Sequence, residues 1–408
     1  MITEDSEIVI GSGLSDRMSQ VSEAATLRIA ARASELRASG RKIVSLSTGE
    51  PDFPTPDNIK QAGIRAIEQN FTKYTPAEGL PELRSIVAKK FEEENGIHTS
   101  PDRIQISSGG KHALFNAVEV LVQQGDEVII PSPYWVSYPA MVAIAEGTSV
   151  FVKTYAADRW VMTPEALDAA ITPNTKAMIL NTPVNPTSAM YLEEDLRALA
   201  PVIKASGMYV IVDELYEKLV YDGRKHFSLG AIEDIADQVI TVNGLSKAYA
   251  MTGWRLGYAT GPKEVIAAMN RLQSQAVSHP SSISQRAGIE ALTGPQESIA
   301  FMRNQFQLRR DLVVELMRKI PGISFTTPEA AFYIFFDVAA FFGMRSPDDV
   351  MIDSADAICN FLLEECGFAL VPGGAFGAPD MIRLSFAASE ADIRQGVSLL
   401  QKGLSMLH

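Results

Sequence analysis

The chain has 408 residues, 46% of them hydrophobic and 21% charged, the proportions of a soluble globular protein with more than one core. A net charge of −13 argues against nucleic acid, whose phosphates need a basic face, and no sequence stretch approaches the roughly 18 unbroken apolar residues of a membrane span. Two cysteines, Cys359 and Cys366, make neither a disulfide framework nor a metal site and read as core or near-core thiols, which makes the cytoplasm the default compartment.

The opening MITEDSEIVIGSG is acidic, lacks the basic segment of a secretory signal and reads as a frayed leader. GEPDFPTPDN (49–58) is rich in prolines that cannot enter a helix interior and marks a junction. A helix follows Asp57 and another spans about 80–94. RIQIS (103–107) reads as a strand, followed by Gly109-Gly110 and a helix over 111–124. Further strands are EVIIP (127–131), TSVFVK (148–153), KAMIL (176–180), YVIVD (209–213), QVITVNG (238–244) and LGYAT (256–260), with helical patterns between several of them, such as 193–206. Short, nearly continuous apolar strands alternating with helices predict a mainly parallel sheet covered on both faces.

The pattern changes after about residue 294. A charged amphipathic helix (295–319) precedes AFYIFFDV (331–338), a helix near 353–365, FALVP (368–372), MIRLSF (381–386) and a last helix from Ser389. The first 48 residues have no strand set of their own, so they are expected to pack on this C-terminal unit. The fold class is therefore α/β: a large domain with a mainly parallel, mixed sheet flanked by helices, and a smaller discontinuous α/β domain. The expected boundaries are 1–56 for the N-terminal segment and part of the small domain, 57–298 for the large domain and 299–408 for the small one. The methionines, spread at helical spacing, read as core. His98, His112, His226 and His408 read as surface or packing residues.

Four segments at the C-terminal ends of predicted strands carry chemistry jointly: SKAYAMTGWRLGY with Lys247, YVIVDELY with Asp213 and Tyr216, NTPVNPT with Asn185, and SSGGKHALFN with Gly109-Gly110. A nucleophilic amine must be a lysine of lowered pKa, which a dry pocket or a neighbouring cation achieves. A carboxylate that closes a buried strand needs a cation, and a protonated pyridine nitrogen would be one. A Gly-Gly turn at a helix start offers N–H groups to a phosphate, and Ser246 and Arg255 could complete that cradle. A ring phenolate needs donors, which Asn185 and Tyr216 can supply. These residue types fit one cofactor, pyridoxal 5'-phosphate, and no metal.

The blocks GEPDFPTP, KYTPAEGLPELR, SSGGKHALFN, IIPSPYWVSYPAMV, NTPVNPT, VDELYE, SKAYAMTGWRLGY and IRLSFAAS, in that order, resemble fold type I pyridoxal-phosphate aminotransferases, in particular the bacterial Ib branch of aspartate and prephenate aminotransferases. The resemblance runs from about residue 27 to the final helix. It implies that Lys247 holds the cofactor as a Schiff base and moves the substrate proton, and that Asp213 pairs with the pyridine nitrogen. Asn185 and Tyr216 would bond the 3' oxygen, and Trp135 would stack on the ring. Ser246, Arg255, Gly109 and Gly110 would hold the phosphate, and Tyr74 would reach the phosphate of a neighbouring subunit in a homodimer with shared active sites. Arg383 would grip the substrate α-carboxylate, with Gly49 contacting it through its backbone. Lys111 would meet the distal carboxylate of acidic substrates, with Thr26 contributing from the lid side.

The expected partners are a small amino acid and a 2-oxo acid, with aspartate and 2-oxoglutarate as the leading pair and aromatic or prephenate-type substrates as further ones. Two segments depart from the usual pattern. NTPVNPTSA has Val184 and Ser188 where relatives carry Asn and Gly, for which only a local change of turn is expected. Ser278-His279 stand where relatives carry small residues near the partner's pocket, which leaves side-chain specificity open. The alternatives are a β-lyase or a transaminase for another amino acid on the same fold, and, more remotely, a non-enzymatic aminotransferase-like regulator.

Overall fold

The computed structural model describes residue 15, residues 17–18, residue 21 and residues 25–408. The acidic opening read as a frayed leader lies outside the described residues. A first strand, β1 (Val44–Ser45), precedes seven strands of one sheet: β2 (Ile104–Ser107), β3 (Glu127–Ser132), β4 (Thr148–Lys153), β5 (Thr175–Asn181), β6 (Tyr209–Asp213), β7 (Val239–Gly244) and β8 (Gly257–Thr260). Their order is β2-β8-β7-β6-β5-β3-β4. β8, the predicted LGYAT strand, runs antiparallel to both of its neighbours, β2 and β7, whereas the pairings from β7 through β6, β5 and β3 to β4 are parallel. β2 therefore points the same way as the parallel set, and the segments after β2, β5, β6 and β7 all emerge at one edge.

Alternation along β6 shows why the run is continuously apolar. Ile211 packs on one face with Val118, Ile240 and Met269, from the helices Gly110–Leu121 and Lys263–Ala276 and from β7. Val210 and Val212 pack on the other face with Leu196, Leu199 and Ile203 of the helix Glu193–Ser206. Both faces are dry, so neither can be polar. Truncating Ile211 to alanine would cost roughly 2–5 kcal/mol. The helix Glu193–Ser206 starts where Asp195 accepts the Leu192 N–H (2.7 Å) and stops at Gly207, whose φ of 70° suits a residue without a Cβ.

The second sheet is antiparallel, in the order β12-β13-β10-β9, from β9 (Ser324–Phe325), β10 (Tyr333–Asp337), β12 (Val371–Pro372) and β13 (Met381–Ser385). FALVP is not one strand. Its first half, β11 (Phe368–Ala369), pairs in parallel with β1, and its second half, β12, pairs with β13. The chain changes partners at Leu370, which is buried in the core between them. β1 is a two-residue strand, too short to show alternation, and it ties the N-terminal segment to the C-terminal one. The Leu46 N–H donates to Ala369 O (3.1 Å), and the Ser385 N–H donates to Leu46 O (2.7 Å).

Among the described residues no helix is long and apolar enough to cross a membrane. Cys359 is buried, Cys366 is half-buried and both are free thiols. Not all methionines are core: Met18 and Met351 are exposed.

Candidate active site

The C-terminal ends of β5, β6 and β7 form the floor of a cavity of about 220 Å³. It is lined by Thr26, Gly49, Lys111, Trp135, Asn185, Asp213, Tyr216, Lys247 and Arg383, all expected from the sequence. Leu114, Asn181, Leu215 and Tyr333 line it as well.

Asp213 closes β6 in register with Asn181 of β5 and Val242 of β7. Its Oδ2 accepts from the Tyr138 hydroxyl (2.7 Å) and its Oδ1 from the Leu215 N–H (3.2 Å). Burial pushes its pKa up to about 6, against the pull of those two hydrogen bonds and of Lys247. Among the described residues it has no cation within ion-pair distance. Lys247, in the turn after β7, is half-buried, and its Nζ donates to Gly49 O (2.5 Å). Burial first, and then the positive charge of Arg383, bring its pKa down to about 8.

Arg383 crosses from the second sheet. It is 2% exposed, donates through Nη1 to Asn185 Oδ1 (2.9 Å) and through Nη2 to Ser47 O (2.8 Å), and lies over the Tyr333 ring at 4.5 Å. Its Nε is buried without a partner, and no carboxylate among the described residues pairs with it. Burial lowers its pKa, with the nearby Tyr333 and Tyr216 opposing. A buried guanidinium without a counter-ion is costly and calls for an anion from outside.

The Tyr216 and Tyr333 hydroxyls are hydrogen-bonded to each other at 2.7 Å. On the opposite wall Trp135 meets Tyr138 edge to face at 5.4 Å, and Lys111 Nζ sits 4.9 Å over the Trp135 ring. Burial and the charge of Arg255 lower the Lys111 pKa.

Gly109, Gly110, Ser246 and Arg255 form a rim beside the cavity instead of lining it. Gly109 caps the helix Gly110–Leu121 with φ +89°, and a Cβ there would overlap the Arg255 guanidinium. Glycine therefore lets the arginine close on the turn. Arg255 is exposed and bonds Thr252 O (3.0 Å) and, at 3.5 Å, Ser108 O. Ser246 is buried next to Lys247. Tyr74 is not brought to this chain's own cavity: it is 91% exposed, with His279 edge-on at 5.5 Å. His279 likewise stands outside the cavity, its Nδ1 2.7 Å from Pro280 O.

Sequence reasoning missed Asn181, Tyr138 and Tyr333. Asn181 could have been found, because it ends β5 opposite Asp213. Tyr138 lies three residues beyond Trp135 in a quoted block. Tyr333 gave no signal, because only the second sheet's placement brings it in. The altered turn does more than change shape locally. Ser188 takes φ +56°, a region that favours glycine, and its Oγ accepts the Tyr333 N–H (3.1 Å), while its carbonyl accepts from Ala330 N–H (3.1 Å). The substituted serine thus ties the turn to β10.

Residues 41–400 match the profile of aminotransferase class I and II. The chain belongs to that family. An aspartate/prephenate aminotransferase of Cereibacter sphaeroides is 45% identical over 95% of this chain and 98% of its own length. An aspartate aminotransferase of Geobacillus stearothermophilus is 44% identical over 92% and 95%. Among solved structures, aspartate aminotransferase from Rhizobium meliloti superposes with a TM-score of 0.93 at 42% identity, covering 97% of this chain and 99% of that one. The Thermus thermophilus enzyme with maleate gives 0.90 at 43%, covering 96% and 99%. The family consists of pyridoxal-phosphate enzymes. The fold is that of the aspartate aminotransferases, and the chain is an amino-acid aminotransferase; the lyase and regulator readings are not favoured.

Proposed function

We propose that this aminotransferase carries the amino group of an L-amino acid, foremost aspartate, to a 2-oxo acid such as 2-oxoglutarate. It does so in a ping-pong cycle with pyridoxal 5'-phosphate, as a cytoplasmic homodimer with shared sites. The observation that carries this reading is the convergence of a half-buried Lys247, a buried Asp213 without a cation and a buried Arg383 without an anion in one cavity. The cofactor's cationic nitrogen and the substrate's carboxylate are the two charges missing.

The residues present fit the cofactor. Asp213 would hold the ring nitrogen, its carboxylate already oriented by Tyr138 and Leu215. Tyr216 and Asn185 would reach the ring oxygen, and Trp135 would cover one face. Ser246, Arg255 and the Gly109-Gly110 turn would take the phosphate, with Tyr74 of the partner subunit closing it. When bound, the cofactor supplies an electron-withdrawing ring that stabilises charge at the substrate α-carbon. Lys247, its pKa lowered from the ordinary lysine value to about 8, gives up its proton more readily than a solvated lysine, and in its neutral form its Nζ would take the α-proton and return it on the cofactor side. Arg383 orients the α-carboxylate, the Gly49 backbone lies beside it, and the enclosed site keeps water from the reacting atoms.

Lys111, with Thr26 across the cavity, supports a second carboxylate on the substrate. The Thermus thermophilus relative solved with maleate, a dicarboxylate, supports the same choice. Prephenate and aromatic donors are further candidates, since Trp135 offers an apolar wall and Lys111 a cation. A half-reaction screen tests the proposal. The cofactor-loaded enzyme should lose its visible band with aspartate and recover it with 2-oxoglutarate, releasing oxaloacetate and glutamate in turn. Ammonia and pyruvate as products, or no response to either acid, would overturn it.

A further inference from the structure

Two neighbouring pairs in Asp213–Glu217 face opposite ways. Asp213 and Tyr216 line the cavity, while Glu214 and Glu217, each one residue on, enter a separate buried cluster. Glu214 is 0% exposed; its Oε2 accepts from the Ser228 hydroxyl (2.7 Å) and lies 3.1 Å from His226 Nε2. Glu217 accepts from the Lys90 ammonium through Oε1 and from Asn95 Nδ2 (2.7 Å) through Oε2. Asn95 closes the circuit, accepting from Lys90 Nζ (2.6 Å) and donating to Ser228 Oγ (2.7 Å). Lys90 and Asn95 belong to the helix Pro81–Asn95, and His226 and Ser228 to the segment before β7.

Burial alone would raise the Glu217 pKa, but the charges of Lys90, His226 and Lys218 hold it at about 2. Burial would likewise discharge His226, but Glu214 and Glu217 keep its pKa above the ordinary value. The cluster thus sets two carboxylates against the Lys90 ammonium and the His226 imidazole. Ligand atoms of Glu214, Glu217 and His226 lie within 4.8 Å of one another, a spacing that suits a metal ion. The Lys90 ammonium already bonds Glu217 there, so the cation's place is taken by protein.

We infer that this Lys90–Glu217 and Glu214–His226 cluster, joined by Asn95 and Ser228, is a positioning device that sets Asp213 and Tyr216 against the cofactor. The inference rests on the cofactor reading of the cavity. Its logic is geometric. Each buried acid is the chain neighbour of a cavity residue, and past Asp213 the ladder gives way to a turn over residues 215–218 fastened by short-range bonds, Glu217 N–H to Glu214 O (3.0 Å) and Leu219 N–H to Tyr216 O (2.8 Å). Ion pairs anchored to a helix add a distant fixed point to those local bonds, as a supporting shell does for any preorganised site.

Glu217→Gln, and as a milder change Ser228→Ala, test this in the purified protein with pyridoxal 5'-phosphate as the probe. The readouts are cofactor dissociation constant, visible circular dichroism of the bound cofactor and melting of the cofactor-free protein. The expected result for Glu217→Gln is about tenfold weaker cofactor binding and a reduced visible dichroism, with Ser228→Ala shifting both in the same direction by less. Folded variants with wild-type affinity and dichroism, and only a lower melting temperature, would make the cluster a fold-stabilising feature and overturn the inference. A wild-type protein that binds no pyridoxal phosphate would instead overturn the reading of the cavity itself.

Discussion

On the floor of the cavity, Asp213, Asn185 and Arg383 are buried, Lys247 is half-buried, and each is held by hydrogen bonds within the one chain. At the rim, Arg255 is exposed and bonds only backbone carbonyls, and Tyr74 stands 91% exposed with its hydroxyl free of the chain's own site. The floor's geometry is set before any ligand arrives, while the rim's charged and aromatic groups lack the partners that would fix them. On the proposed reading, orientation of the reacting atoms would belong to the floor, and retention of the phosphate to the rim, with a second subunit's help. Mutations should separate the two.

The largest effect is expected on the floor. Arg383→Ala should lower kcat/KM for every α-amino acid by about 10³-fold, because it removes a desolvated charge pair with the substrate carboxylate. Steady-state kinetics with aspartate and an aromatic donor checks this, and a loss confined to one donor would assign Arg383 to the side chain instead.

Lys247→Met should stabilise the cofactor-free protein at pH 7 by a few kcal/mol. The folded pKa of about 8 lies below the unfolded 10.5, so below pH 8 the folded state bears a buried charge whose cost is fully present. That cost fades as pH rises from about 8 toward 10.5, where the unfolded state still binds the proton. Melting curves across pH 6–10.5 should show the gain of the variant shrinking along that window.

Lys111→Ala should act on one class of substrate, costing roughly 10–100-fold in kcat/KM for aspartate and much less for phenylalanine. Equal losses for both would place Lys111 in structure instead of specificity. The smallest effect belongs to the rim. Tyr74→Phe should weaken cofactor binding by about tenfold, the worth of one hydrogen bond to a charged group, with kcat at saturating cofactor nearly unchanged. Cofactor titration of the apo-protein measures it.

Legibility in the sequence follows the same division. Asp213, Lys247 and Asn185 were readable because each ends or follows a buried strand, where a polar residue in an apolar run stands out. The parallel core was readable because β6 and β7 are apolar on both faces. The reversed direction of β8 was not, since a short run such as LGYAT carries no record of which way it runs beside its neighbours. The split of FALVP was not either, because β11 and β12 find their partners, β1 and β13, far away in the chain. His226, read as a surface or packing residue, gave no hint of its pairing with Glu214, because the groups around it come from two other segments, the turn after β6 and the helix Pro81–Asn95. Tyr333 reaches the cavity only through the second sheet, and local pattern carries no record of that approach.

Of the two lysines in the cavity, Lys247 and not Lys111 is the proposed attachment point of the cofactor. Borohydride reduction of the protein loaded with pyridoxal phosphate, followed by peptide mass mapping, separates the two. The expected result is one fixed phosphopyridoxyl group on the peptide carrying Lys247, abolished in Lys247→Ala. Label on Lys111, or none on a protein that still transaminates, would contradict it.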